Sequence, residues 1–181
     1  INSILDALSE LVKIGKIRNI GLSNETPWGT MEFLRQSKDK NLPRVQSIQN
    51  AYNLLNRIFE FGGSEIAFRE KVGLLAYSPL AQGYLTGKYQ NGNLPEGSRK
   101  ALFDRLQRYE GVGSEEAIES YLNIARKYNI DPSQLANQFV TTRPFVTSNI
   151  IGATSIEQLK LAVTSIEVDM NEELENDIEE A

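Results

Sequence analysis

Strand-like and helix-like patterns alternate along this chain, and that alternation limits its fold more than any other feature of the sequence. A helix is predicted for residues 3–14, where apolar residues recur at helical spacing. Four strand–helix units follow it. Because strands separated by helices pair in parallel, the pattern predicts an α/β fold with a parallel sheet. The first predicted strand ends at Ser23 and Asn24, and the other three cover 44–53, 74–80 and 145–155. The later predicted helices cover 26–41, 64–73, 114–130, 131–144, 155–167 and 171–181.

Residues typical of helix ends mark where several of these helices begin and end. Small polar residues favour the position before the first turn, proline favours the first turn, and glycine favours the end. The predicted starts are Ser3, Thr26 with Pro27, Ser114, Asp131 with Pro132, and Ser155, and the predicted ends include Gly15 and Gly73.

Polar side chains gather where each predicted strand ends. In a (β/α)8 barrel this edge of the sheet forms the active-site rim. No Gly-x-Gly-x-x-Gly follows the first strand, so the sequence does not favour a Rossmann fold. The polar groups are Ser23 with Asn24, Gln49 with Tyr52 and Asn53, Tyr77 with Ser78, and Thr154 with Ser155.

The number of strands is half of what a complete barrel needs. Four strands are predicted, whereas a (β/α)8 barrel has eight and typically spans about 250 residues. We therefore interpret residues 1–181 as one partial domain, the C-terminal half of a (β/α)8 TIM barrel, and expect the N-terminal half to precede Ile1. Four strands alone would leave two unpaired edges and an uncovered apolar face, which favours self-association or pairing with another chain.

The residue types that the chain lacks exclude several kinds of site. Its 181 residues contain no cysteine and no histidine, so a disulfide and a Ser-His-Asp triad are excluded and no metal site is expected. The net charge of −5 argues against a nucleic-acid or anionic-membrane partner. No apolar run is long enough to span a membrane and no signal-like start is present, so a cytoplasmic location is expected.

A long glycine-rich loop is predicted between residues 81 and 113. It follows the strand in "AYSPLAQGYLTGKY" and contains Gly83, Gly87 and Lys88. Loops longer than about 15 residues inside a compact domain are usually functional or disordered. Two interpretations stay open at this point: the loop wraps an anionic ligand, or it only turns a corner.

Four short motifs, in this order, resemble one known family. "GLSN", "QNAYN", "YSPLAQGYLTGKY" and "IIGATSIEQL" are similar to the C-terminal half of an aldo-keto reductase. The nearest branch is that of the bacterial reductases similar to the potassium-channel β-subunit. The resemblance covers nearly all of residues 3–178, and each motif stands at a predicted strand end.

The resemblance implies that NADPH lies extended across the barrel rim, with NADH as the alternative. Ser23 and Asn24 would bind the nicotinamide carboxamide, Gln49 would bind its other edge, and Tyr77 would stack on the ring. An amide needs a donor and an acceptor, which Asn24 and Gln49 supply, and a cationic ring favours an aromatic face. The remaining implied contacts are Ser78, Leu80, Gln82 and Gly83 at the pyrophosphate, Lys88 and Arg99 at the phosphate and ribose, and Thr154 and Gln158 at the 2′-phosphate.

Two departures from the family pattern affect the expected function. Leu161 and Ala162 occupy places where the family usually carries an acidic residue and an asparagine that face the adenine, so the preference for NADPH over NADH is open. The family's catalytic Asp, Tyr, Lys and His lie in its N-terminal half, and none of those motifs is present here. The resemblance thus implies a cofactor platform without the proton donor that reduction of an aldehyde or ketone requires.

Three functional hypotheses follow. The first is the NADPH-binding half of an aldo-keto reductase that reduces a small carbonyl substrate when complete, with no catalytic residue in this chain. The second is a non-catalytic half-barrel that pairs with another chain through its open edges. The third is an unrelated α/β domain with accidental motifs. In all three, Tyr52, Tyr84 and Tyr89 are expected to pack rather than act as acids, and the Glu-rich C-terminal helix is expected to be solvated.

Overall fold

The fold consists of one parallel sheet and the helices that connect its strands. The computed structural model describes residues 1–103 and 107–181. The predicted alternation is confirmed, and the strands are β1 (Ile20–Ser23), β2 (Val45–Ala51), β3 (Gly73–Tyr77) and β4 (Val146–Ile150). The helices are α1 (Asn2–Lys13), α2 (Pro27–Asp39), α3 (Gly63–Glu70), α4 (Arg99–Leu102), α5 (Ser114–Lys127), α6 (Pro132–Thr142), α7 (Ile156–Thr164) and α8 (Glu172–Glu180).

The four strands lie in chain order, β1-β2-β3-β4, and every neighbouring pair is parallel. Register pairs Ser23 with Gln49, and Tyr77 pairs with both Ala51 and Ile150. All four carboxyl ends therefore meet at one edge of the sheet. This is the arrangement expected of half of a (β/α)8 barrel.

Large apolar side chains of the strands point to the helix side of the sheet and form the core. Ile48, Leu74 and Ala76 are buried there, together with Phe33 of α2 and Phe139 of α6. Successive residues of a strand point to opposite faces, so the apolar residues at alternate positions share one face. Burial of these side chains against the helices provides the main stabilisation of the fold.

The opposite face of the sheet carries small and polar side chains over much of its length. Gly21, Ser47 and Gly73 are register partners across β1, β2 and β3. A Cβ atom at Gly73 would lie 1.7 Å from Oγ1 of Thr147, so Thr147 of β4 faces the same way. The expected apolar face is therefore absent where these small and polar residues lie, whereas Leu75 and Ile150 lie on the same face nearer the carboxyl ends of the strands.

Helix ends show which capping predictions hold. Oxygen atoms of the Thr26, Asp131 and Ser155 side chains each accept a hydrogen bond from a backbone N–H of the first turn, as predicted. Ser3 and Ser114 do not cap their helices: Ser3 is the second residue of α1 and Ser114 is the first residue of α5, and Ile1 and Gly113 precede the first turns.

The end of α3 differs from the prediction as well. The helix ends at Lys71, which has a left-handed φ of 55°, rather than at Gly73. Gly73 instead begins β3, where its lack of a side chain leaves room for Thr147.

The predicted loop from 81 to 113 is more ordered than a bare loop. It contains 3-10 turns at Ala81–Thr86, Gln90–Gly92 and Gln107–Tyr109, and the short helix α4. Residues 104–106 of this predicted loop lie outside the described residues. We call residues 81–103 and 107–110 the belt.

The C-terminal helix α8 is not simply solvated. Leu174 and Ile178 are buried, one turn apart on the same face of α8. Its outer carboxylates also bind neighbouring elements, because Asp177 pairs with Lys127 of α5 at 2.7 Å and Glu179 pairs with Arg57 at 2.9 Å. The predicted solvated face is present at Glu172, Glu173, Glu179 and Glu180, whereas the buried apolar face was not predicted.

None of the helices within residues 1–103 and 107–181 is long and apolar enough to cross a membrane.

Candidate functional site

A cleft of about 920 Å³ opens at the carboxyl ends of β3 and β4. The belt forms one side of it and the start of α7 forms another. The structure thus brings segments that are far apart in sequence to one cavity. Nine of the twelve predicted contact residues line it: Tyr77, Ser78, Leu80, Gln82, Gly83, Lys88, Arg99, Thr154 and Gln158.

The other three predicted residues lie at the neighbouring strand ends, beside the cleft rather than in its lining. Ser23 of β1 and Gln49 of β2 are register partners. The backbone N–H of Asn24 donates to the carbonyl oxygen of Gln49 at 2.9 Å. Asn24 has a φ of 53°, a left-handed conformation that asparagine tolerates better than most residues.

Tyr77 connects these strand ends to the cleft. Its hydroxyl donates to Oδ1 of Asn24 at 2.6 Å, and Nη1 of Arg108 donates to the same hydroxyl oxygen at 3.3 Å. The hydrogen bond to Tyr77 raises the pKa of Arg108 above its usual value. The side chains predicted to bind and stack the nicotinamide are therefore already in contact with each other.

Asn53 holds the turn that follows β3. It is fully buried, and its Nδ2 donates to the Ser78 carbonyl at 2.8 Å and to the Tyr109 hydroxyl at 2.9 Å. Its Oδ1 accepts from the backbone N–H of Leu55 at 3.0 Å. One side chain thus joins the end of β2, the turn after β3 and the end of the belt.

The backbone after β3 is strained where it borders the cleft. Ser78, Ala81 and Gln82 have φ values of 59°, 46° and 59°. Such left-handed conformations cost non-glycine residues roughly 1–3 kcal/mol and concentrate at functional sites. The strain points to this turn as a place where backbone groups are aimed at a ligand.

Gly83 allows a close approach between this turn and Lys88. Its φ is 104°, and an added Cβ would lie 2.7 Å from Cε of Lys88. A larger residue would displace the lysine side chain. The absence of a side chain at Gly83 therefore lets the Lys88 ammonium lie against the cleft wall.

A polar clasp fastens the two ends of the belt. Nζ of Lys100 lies 2.7 Å from Oε1 of Glu110, and the Tyr84 hydroxyl donates to the same carboxylate. The hydrogen bond from Lys100, followed by that from Tyr84, lowers the pKa of Glu110. Nζ of Lys100 also lies 5.2 Å from the centre of the Tyr84 ring, within reach of a cation–π contact.

The start of α7 presents hydrogen-bond donors to the cleft. Oε1 of Gln158 accepts from the backbone N–H and the hydroxyl of Thr154, at 2.9 and 3.1 Å. This orientation turns the Gln158 amide nitrogen away from Thr154. Both Thr154 donors are therefore already paired, and the groups that suit an anion here are the Gln158 amide nitrogen and the positive end of the nine-residue helix α7.

The tyrosines that were expected to pack do so. Tyr52 is buried, with its ring stacked on Phe139 at a centroid distance of 5.8 Å, and burial raises its pKa before the hydrogen bond to Glu60 adds to the effect. Tyr84 and Tyr89 are buried with ring centroids 5.0 Å apart.

Sequence reasoning missed several residues at this site. Ser133 and Asn137 of α6 line the cleft, and Arg108 and Glu110 act on it from the far end of the belt. No local pattern marks them, because Arg108 and Glu110 act through tyrosines more than 20 positions away and Ser133 and Asn137 lie within a helix, away from the strand ends.

The family model for the aldo/keto reductase family matches residues 1–181 of the chain. The chain belongs to this family. The chain is 47% identical over 175 residues to protein Tas of Escherichia coli (strain K12), covering 97% of the chain and 51% of that protein. It is 43% identical over 162 residues to an aldo-keto reductase of Babesia bovis, covering 86% of the chain and 57% of that protein.

A more distant relative gives the same picture of coverage. The chain is 32% identical over 168 residues to L-glyceraldehyde 3-phosphate reductase of Escherichia coli (strain K12), covering 88% of the chain and 47% of that protein. The chain thus spans about half the length of the curated relatives it matches.

Proposed function

We propose that the chain is the NADPH-binding half of an aldo-keto reductase-type oxidoreductase that reduces an aldehyde or ketone when complete. One observation carries the proposal. Eleven of the twelve residues expected to bind the cofactor come from four separated motifs, and the twelfth is Arg99 of the belt; nine of the twelve line a single cleft, and the neighbouring strand ends supply the other three. Accidental motifs in an unrelated domain would have no reason to converge in this way.

The donors and acceptors of the cleft suit a nicotinamide dinucleotide phosphate. The side-chain amides of Asn24 and Gln49 complement a carboxamide, and the Tyr77 ring offers a flat face. Within the described residues, the buried Oε1 of Gln82 has no hydrogen-bond partner, so a polar group of a ligand would satisfy it. When bound, the nicotinamide supplies a hydride to a carbonyl carbon.

Positive charge in the cleft suits the phosphates. Lys88 and Arg99 both line it, and the carboxylate of Glu96 shares the lining. We assign Gln158 and the start of α7 to the 2′-phosphate, which distinguishes NADPH from NADH. Gln158→Ala should therefore weaken NADPH binding and leave NADH binding unchanged.

This chain is expected to bind the cofactor without completing the reaction. The sequence contains no histidine and none of the Asp, Tyr, Lys and His motifs that the family resemblance places in the other half. No proton donor for the carbonyl oxygen is assigned to any residue here. The cytoplasmic location expected from the sequence stays a prediction.

Two measurements on the 181-residue chain test the proposal. Calorimetric titration with NADPH should show saturable binding, and Lys88→Ala with Arg99→Ala should weaken it. An assay of carbonyl reduction should show no turnover. A chain that binds neither NADPH nor NADH would refute the proposed function. Clear turnover would refute the proposal that this chain cannot complete the reaction by itself.

A second candidate function is assembly with a second copy of the chain. Within the described residues, β1 pairs only with β2 and β4 only with β3, so both outer strands have unpaired edges. If β1 of each copy paired with β4 of the other copy, the two sheets would close into an eight-stranded parallel barrel without unpaired edges.

Exposed apolar side chains favour this candidate. No residue of α7, which follows β4, is buried, and its outer face carries Ile156, Leu159 and Val163, followed by Ile166 beyond its end. The helix α1, which leads into β1, exposes Ile4 as well. Edge pairing would bring these two helices together and bury both surfaces.

Charges near the two edges are complementary. Lys16 and Arg18 stand just before β1 and are exposed, whereas Glu167 and Asp169 follow α7 and are exposed. Sedimentation equilibrium should give twice the chain mass, and Leu159→Glu with Val163→Glu should give a monomer. A folded wild-type chain that sediments with the mass of a monomer would contradict assembly, whatever the outcome of the cofactor titration.

A further inference from the structure

Two separate segments contribute apolar side chains to the lining of the cleft. Leu161 and Ala162 of α7 line it, as do Leu102 and Phe103 of the belt, and we call these four residues the apolar end. The side chains of Leu102 and Phe103 are 63% and 57% exposed. Large apolar groups left open beside a polar cleft are typical of a ligand contact.

The apolar end lies one helical turn from the polar groups assigned to a phosphate. Gln158 precedes Leu161 by three positions and Ala162 by four, so the three residues share one face of α7. One turn of helix advances about 5.4 Å. A phosphate and a base that are attached to the same ribose are separated by a comparable distance, so a phosphate held at Gln158 would direct its base towards Leu161 and Ala162.

The chemistry of the apolar end determines what it can distinguish. The four side chains contain no nitrogen or oxygen, so they contact the flat faces of a ring and form no hydrogen bonds with its edge. Both polar atoms of Asn137, which also lines the cleft, have partners: its Nδ2 donates to the Ser133 carbonyl at 2.8 Å, and its Oδ1 accepts from Nδ2 of Asn149 at 3.5 Å. An apolar pocket discriminates weakly between ring systems of the same shape that differ in one polar substituent.

We infer that the apolar end binds the purine base of the cofactor by contact with its faces and does not recognise its 6-amino group. The site would then recognise the cofactor through its phosphates, ribose and nicotinamide, and would accept a 6-oxo purine in place of adenine. This inference rests on the proposed function and adds the base specificity of that same cleft.

The test compares NADPH with its hypoxanthine analogue, in which an oxygen replaces the 6-amino group. Calorimetric titration of the wild-type chain should give dissociation constants that agree within about threefold. A preference for NADPH of about tenfold or more would overturn the inference while leaving the proposed function standing. Absence of any NADPH binding would overturn the proposed function and the inference together.

Two variants of α7 show whether Ala162 faces the base. Ala162→Asn places an amide, with a donor and an acceptor, in the cleft and should create a preference of roughly fivefold or more for one of the two bases. Lys160→Asn is the matched control, because Lys160 of the same helix is exposed and does not line the cleft. Equal ratios in the two variants would overturn the placement of the base.

Glu96 provides the last check. It is a carboxylate that lines the cleft and could accept a hydrogen bond from an amino group. Glu96→Gln should leave the ratio of the two dissociation constants unchanged. A ratio that depends on Glu96 would mean that this carboxylate recognises the amino group, and the inference would fail.

Discussion

Replacing Asn53 tests whether its buried hydrogen bonds fix the turn after β3 that lines the cleft. Asn53→Ala removes three hydrogen bonds at once, those to the Ser78 carbonyl, the Tyr109 hydroxyl and the Leu55 N–H. Each is worth about 1 kcal/mol net, so the free energy of unfolding should fall by about 3 kcal/mol. For a chain of this size the midpoint of thermal unfolding should fall by roughly 6–12 °C.

Urea unfolding followed by circular dichroism measures this change. The side chain is fully buried, so water cannot replace the lost partners without entering the core. Asn56→Ala is the matched control, because the Asn56 side chain accepts one long hydrogen bond of 3.4 Å from the Ile58 N–H. The control should change stability by less than about 1 kcal/mol.

The second readout is cofactor binding. Ser78 lines the cleft, so a Ser78 carbonyl released from Asn53 should weaken NADPH binding beyond the effect of Asn56→Ala. If Asn53→Ala destabilises the chain no more than the control does, the reasoning is wrong. If stability falls but NADPH binding is unchanged, Asn53 supports the fold and does not position the cleft.

Three further predictions concern Tyr77, the partly buried carboxylate of Glu60 and the helix cap at Ser155. Tyr77→Ala should weaken NADP⁺ binding by about 0.5–2 kcal/mol in a calorimetric titration, whereas Tyr77→Phe should bind at least as tightly as the wild type, because it keeps the ring and frees Oδ1 of Asn24. Burial alone would raise the pKa of Glu60, but hydrogen bonds from Arg57 and Tyr52 lower it below 4.5. The ionised Glu60 carboxylate therefore stabilises the fold above that pH, and this stabilisation is lost as the pH falls through the folded pKa. In urea titrations below about pH 4.5, the free energy of unfolding should fall more steeply with decreasing pH for the wild type than for Glu60→Gln. Ser155→Ala removes the cap of α7 and should cost about 1 kcal/mol in urea unfolding, with weaker NADPH binding.

The parts of the fold that were predicted correctly depend on short-range patterns. Strand-like and helix-like patterns of apolar residues alternate along the sequence, and this predicted four parallel strands. Local residue types located the caps at Thr26, Asp131 and Ser155. These signals suffice because each acts within a few positions of its own residue. The predicted cleft residues also came from short motifs at strand ends, where the topology of a parallel sheet brings them together.

The parts that were not predicted depend on distant partners. Asn53 was visible as a polar residue at a strand end, but its role requires Ser78, which lies 25 positions away, and Tyr109, which lies 56 positions away. The left-handed backbone at Ala81 and Gln82 could not be predicted from their residue types, because neither favours that conformation. Leu174 of α8 was missed because the glutamates around it obscured a narrow apolar stripe.

Several contacts within the described residues hold the cleft together, and we use them to separate cofactor binding from catalysis. Asn53 fixes the turn after β3, the clasp of Lys100 and Glu110 fastens the belt, and Nδ2 of Asn149 in β4 donates to the Asn137 carbonyl of α6 at 3.1 Å. None of these contacts requires a further strand beside β1 or β4. We therefore propose that a cleft supported in this way binds the dinucleotide without the residue that protonates the substrate, which is why binding and turnover are measured separately.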